Sequence, residues 1–84
     1  MIRITISNNM KRKSFPFNAN TTVRQALEQT APETGIDPVR QMVTLDGESI
    51  TGARLDQTFA QFGYTGEPGH DSAYLCAVVK ADNA

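Results

Sequence analysis

The chain has 84 residues, 39% of them hydrophobic, with eight basic against nine acidic side chains and a net charge of -1. That is enough for one small domain, whose core removes roughly 60 to 65% of the unfolded surface from water, and too little basic excess for general nucleic-acid binding. The single cysteine, Cys76, excludes an internal disulfide, a multi-cysteine metal site and an iron–sulfur cluster.

Ile2, Ile4 and Ile6 alternate with Arg3, Thr5 and Ser7. A period of two with three β-branched residues on one side predicts a half-buried strand. The same alternation differs from the apolar block of a signal peptide, and no run approaches the roughly 20 apolar residues of a membrane span. The expected compartment is the cytoplasm, with no membrane contact.

Asn8 to Lys13 reads as a polar turn region, with Lys11-Arg12-Lys13 at its tip. Phe15 and Phe17 then alternate with Ser14, Pro16 and Asn18, so the first two runs form a hairpin. Pro16 has no backbone donor, which assigns its strand to a sheet edge.

Val23, Ala26, Leu27 and Thr30 lie at offsets of three, four and seven, forming one helical stripe. Thr22-Val23-Arg24-Gln25 fits the capping box at its start. Pro32, Gly35 and Pro38 are expected to end the helix. Met42 to Leu45 reads as a short strand, Asp46-Gly47 as a two-residue hairpin turn, and Glu48-Ser49-Ile50 as the return.

Leu55, Phe59 and Phe62 recur at offsets of four and three, which predicts a turn or two of helix beginning near Asp56. Three glycines and a proline make the segment from Gly63 to Asp71 a loop. The run Ala73 to Val79 is almost wholly apolar and belongs in the middle of a sheet. Pairing of this last strand with the first is then parallel, with the helix crossing one face.

Thr34-Gly35-Ile36-Asp37-Pro38-Val39-Arg40-Gln41 resembles the Gly-Ile-Pro-Pro segment that follows the helix of ubiquitin. Leu45-Asp46-Gly47-Glu48 resembles the hairpin after it. Thr51-Gly52-Ala53-Arg54-Leu55-Asp56 resembles the stretch before the short ubiquitin helix. Together these identify the chain as similar to the ubiquitin-like β-grasp family over nearly its whole length. The resemblance implies an α+β fold with a mixed four- to five-stranded sheet, one main helix on one face and a short second helix. Residues 1–84 are expected to form a single domain, with 81–84 a short tail.

Ubiquitin-like carriers and modifiers work through a terminal Gly-Gly, where bare backbone passes a narrow enzyme channel. This sequence ends Lys80-Ala81-Asp82-Asn83-Ala84 and contains no Gly-Gly pair. The expectation is that carrier or modifier chemistry does not operate. It remains the alternative reading, acting through an atypical C-terminus or through Cys76.

Cys76 could be a nucleophile or redox thiol, but a buried cysteine acting as a small hydrophobe accounts for it more simply. His70 lies in a glycine- and proline-rich loop with nothing to fix its tautomer, which favours a solvent-exposed loop residue over catalysis. Lys11-Arg12-Lys13 could meet an acidic partner, although charge beside an edge strand also discourages edge pairing. No titratable pair converges on a pocket, so no enzymatic activity and no cofactor are expected.

If the isoleucines, Val43, Leu45, Leu75, Ala77 and Val79 face the helix, their alternates face away. Lys80 directed to solvent supports that register, and a slip by one residue would reverse it. The outward set is then Arg3, Thr5, Met42, Thr44, Tyr74, Cys76 and Val78. Met, Tyr and Val beside Arg form a modest contact surface. The expected role is a small non-enzymatic module or subunit, monomeric or weakly dimeric. It would bind a protein partner through Arg3, Met42, Thr44, Tyr74, Cys76 and Val78.

Overall fold

The structure, a computed structural model, describes the chain except for Met10, Val39 and residues 80–84, and describes Val78 and Val79 by backbone alone. Five strands form one sheet: β1 (Ile2–Asn8), β2 (Lys11–Phe17), β3 (Gln41–Leu45), β4 (Glu48–Ile50) and β5 (Ser72–Val79). Among the described residues one α-helix, α1 (Val23–Thr34), crosses between β2 and β3. The strand order is β2-β1-β5-β3-β4, with β1 and β5 parallel and every other pair antiparallel. The near-continuous apolar strand is therefore central and the strand bearing Pro16 is an edge, as the sequence requires.

Alternation decides which residues enter the core. Ile2, Ile4 and Ile6 are buried on one side of β1, and Val43, Leu45 and Leu75 meet them from β3 and β5. The stripe Val23, Ala26, Leu27 packs onto this surface. The helix begins as its capping box demands: the Thr22 hydroxyl accepts from the Gln25 N–H at 3.1 Å, and the Gln25 carboxamide oxygen accepts from the Thr22 N–H at 3.0 Å. Thr30 and Thr34 are buried but satisfied, since their hydroxyls donate to the carbonyls of Ala26 and Thr30 one turn back.

Asp46 (φ 50°) and Gly47 (φ 89°) both take the left-handed conformation. This is what a two-residue turn joining β3 and β4 needs if its twist is to match that of the strands.

Three sequence expectations are corrected. The basic run is not a hairpin tip, because β2 starts at Lys11 and pairs Lys11, Arg12 and Lys13 with Asn8, Ser7 and Ile6. A left-handed Asn9 (φ 58°) reverses the chain early enough to allow this. Pro32 does not end the helix, which continues to Thr34 and stops at left-handed Gly35. Proline lacks the donor that would reach the carbonyl of Glu28, and both residues lie on the solvent side, where water can replace such a bond.

The helix expected near Asp56 is instead two 3-10 turns, Gly52–Asp56 and Ala60–Phe62, separated by extended backbone at Gln57. That break lets Val23 N–H donate to Gln57 O and Phe59 N–H donate to Thr21 O, each at 3.1 Å. The segment is thereby pinned to the start of α1. Phe59 is driven into the core and stacks on Phe17 with ring centroids 6.2 Å apart.

Candidate functional site

One side of the sheet carries the helix and the 3-10 segment; the other carries no second layer among the described residues. Strand alternation presents on this open side Arg12, Ser14 and Pro16 from β2, Arg3, Thr5 and Ser7 from β1, Tyr74 and Cys76 from β5, and Met42 and Thr44 from β3. The expected register therefore holds at Arg3, Met42, Thr44, Tyr74 and Cys76. The side chain of Val78 and the whole of Lys80 lie outside the described residues, although the Val78 backbone is paired with Met42.

Among the described residues, and apart from Met1, the large hydrophobic side chains most open to solvent are Met42 and Tyr74, at 37% and 36%, and both belong to this face. They do not touch. Met42 and Tyr74 lie on neighbouring strands but near opposite ends of the paired segment, with the Thr44–Cys76 pair between them. Thr44 donates its hydroxyl to the Cys76 carbonyl at 3.4 Å. Arg3 lies further still, beside Ser72 where β5 begins. Arg3, Tyr74, Cys76, Thr44 and Met42 thus make a diagonal strip across the sheet.

Cys76 keeps its expected outward place but corrects the reading of a buried cysteine. It is a free thiol, but only half-buried, because it sits on the open side of the sheet rather than in the core.

Arg12, absent from the expected surface, is joined to it through Tyr74. The Arg12 guanidinium, and secondarily the Ser7 hydroxyl, face the Tyr74 phenol on the open side, favour its phenolate and pull its pKa below the ordinary tyrosine value. Carrying the Phe15–Phe17 alternation two steps back would have placed Arg12 and Ser14 on the outward side. Beside them the Thr5 and Ser14 hydroxyls bond at 2.9 Å.

The sheet's far corner is closed by Asp46. Its carboxylate accepts from the Tyr64 hydroxyl and from the Tyr74 backbone N–H, the latter at 3.0 Å. Burial, followed by this contact with a carboxylate, pushes the Tyr64 pKa up to about 12. His70 is exposed in the loop between Gly63 and Asp71, as expected. Among the described residues no three His, Cys, Asp or Glu side chains gather as a metal site. No helix is long and apolar enough to cross a membrane.

The chain order, the parallel β1–β5 pair at the sheet centre and the single crossing helix define a β-grasp. Solved structures agree. A ubiquitin-like domain of an Arabidopsis thaliana protein superposes with a TM-score of 0.73 at 14% identity, covering 99% of this chain and 81% of that one. The fold is ubiquitin-like. The ubiquitin of Caldiarchaeum subterraneum gives a TM-score of 0.70 at 13% identity, covering 99% of this chain and 98% of its own. A ubiquitin-like protein from Trypanosoma brucei gives 0.69 at 19% identity, with 95% of each chain covered. No family model matches the chain, and no curated protein matches it in sequence. At these identities the ubiquitin-like fold is shared while the surface residues are this chain's own.

Proposed function

We propose that this ubiquitin-like domain is a non-enzymatic protein-interaction module that contacts its partner through the open face of the sheet. One observation carries the reading: Met42 and Tyr74, the two most solvent-exposed large hydrophobic side chains of the described sheet, both lie on the face that no layer covers. Arg3, Thr44 and Cys76 fill the strip between and beside them, and Val78 is assigned to it by strand alternation. A Tyr and a Met next to arginines match the composition that distinguishes contact surfaces from ordinary surface.

The test is site-specific photo-crosslinking in living cells of the natural host. A benzophenone side chain at position 42 or 74 is expected to give discrete protein adducts. The same probe at Gln29, exposed on the outer side of α1, is expected to give none. Adducts of equal yield and identity from Gln29 would show that the sheet face has no special role.

A further inference from the structure

Four of the basic side chains among the described residues are compensated. Lys13 pairs with Glu33, Arg24 with Asp56 at 2.7 Å, Arg54 with Glu48 at 2.9 Å and Arg40 with Asp37 at 3.7 Å. Arg3, Lys11 and Arg12 form no ion pair among the described residues. All three are on β1 and β2, with Arg3 and Arg12 on the outward side and Lys11 on the helix side by strand alternation. The contrast is sharpest within β2, where Lys13 turns to the helix side and finds Glu33 while Arg12, one residue earlier, turns outward and finds only neutral Tyr74 and Ser7. No Asp or Glu stands on the outward side of any described strand. The charged side chains on the outward side of the described strands are therefore all cationic, with the Asp46 and Asp71 carboxylates held in the turns at the sheet's margin.

We infer that the open face is built to receive an acidic, extended peptide segment of a partner protein, with carboxylates reaching Arg3 and Arg12. This rests on the reading of the face as a contact surface and specifies its partner's chemistry.

The spacing sets the pattern. Arg12 pairs with Ser7, and Ser7 lies four residues along β1 from Arg3, a separation of about 13 Å at 3.3 Å per residue. An extended peptide spans that distance between side chains four apart, and those side chains share one face. The residue midway between them falls over Thr5, which pairs with Tyr74.

A second copy of this chain does not fit. A two-fold interface through this face would set two cationic strand surfaces against one another, with no carboxylate on the facing strands. Nucleic acid fits poorly, because two arginines on an acidic protein neutralise too few phosphates.

The experiment titrates the full chain, by amide NMR shifts, with capped Glu-Thr-Val-Thr-Glu and with its counterpart Gln-Thr-Val-Thr-Gln. The acidic peptide is expected to shift amides of β1, β2 and β5, and the neutral one to leave them in place. Arg3→Gln and Arg12→Gln are each expected to weaken binding by roughly threefold, and the pair by roughly tenfold. Arg24→Gln, on the helix side, should leave it unchanged. Equal binding of the neutral peptide, shifts confined to the helix side, or indifference to both arginine variants would overturn the inference. So would a single-stranded oligonucleotide that binds the same arginines more tightly than the acidic peptide. Retention of the position-42 and position-74 crosslinks in the double arginine variant would sink the acidic-partner inference alone. Their absence in the unaltered protein would sink the contact surface itself.

Discussion

Tyr64 and Tyr74 are the chain's two tyrosines, and they stand in opposite electrostatic settings. Burial and the Asp46 carboxylate disfavour the Tyr64 phenolate, raising its pKa to about 12, whereas Arg12 and Ser7 favour the phenolate of Tyr74. An alkaline titration followed by phenolate absorbance is therefore expected to resolve two steps, Tyr74 first and Tyr64 near 12. Tyr74→Phe should abolish the early step and Tyr64→Phe the late one. For Tyr64 the folded pKa lies above the unfolded value of roughly 10. The stability it contributes is complete below that value and disappears as pH rises through about 12. A single step, or the reverse order in the two variants, would mean that Arg12 is not at Tyr74.

At the scale of elements, what the sequence revealed tracks how local the cause is. The capping box at Thr22, the alternation of β1 and the turn at Asp46-Gly47 are each decided within a few residues, and each is found where the spacing puts it. The 3-10 segment is decided at a distance. Leu55 and Phe59 have helical spacing and are buried, yet backbone bonds from Val23 and to Thr21 hold Gln57 extended, and nothing local encodes those bonds. One local signal was present. Thr58 and Gln61 repeat the reciprocal bonds of a capping box, at 3.2 and 2.7 Å, and mark a chain restart at Thr58 rather than a helix from Asp56. Arg12 was missed for a similar reason: a basic tripeptide suggests a loop by composition, while the strand is imposed by pairing with β1.

The helix allows a graded check. Leu27 is fully buried against the sheet, so Leu27→Ala is expected to cost about 2 to 5 kcal/mol in urea melts. Thr22→Ala removes only a cap and is expected to cost about 1 kcal/mol. A Leu27→Ala loss no larger than that of Thr22→Ala would contradict the packing of α1.

For the whole molecule, the two sides of one sheet divide the labour. The side under α1 holds the isoleucines, Leu75 and Phe59 and makes the fold. The other side holds two arginines, two exposed hydrophobic side chains and a thiol that the fold does not consume. The fold was legible because hydrophobic periodicity and turn chemistry specify it. The proposed contact surface was less so, because outward residues are free of those constraints and any that the sheet tolerates folds equally well. Cys76 reports this division most directly, being the only cysteine and lying on the open side. The decisive measurement is the rate at which a small thiol reagent labels the native protein across sub-denaturing urea. Labelling that proceeds in the folded state, at a rate insensitive to urea, is the expected result. Labelling that occurs only through global unfolding, accelerating as stability falls, would place Cys76 in the core, reverse the sheet and contradict the open face on which the proposed function rests.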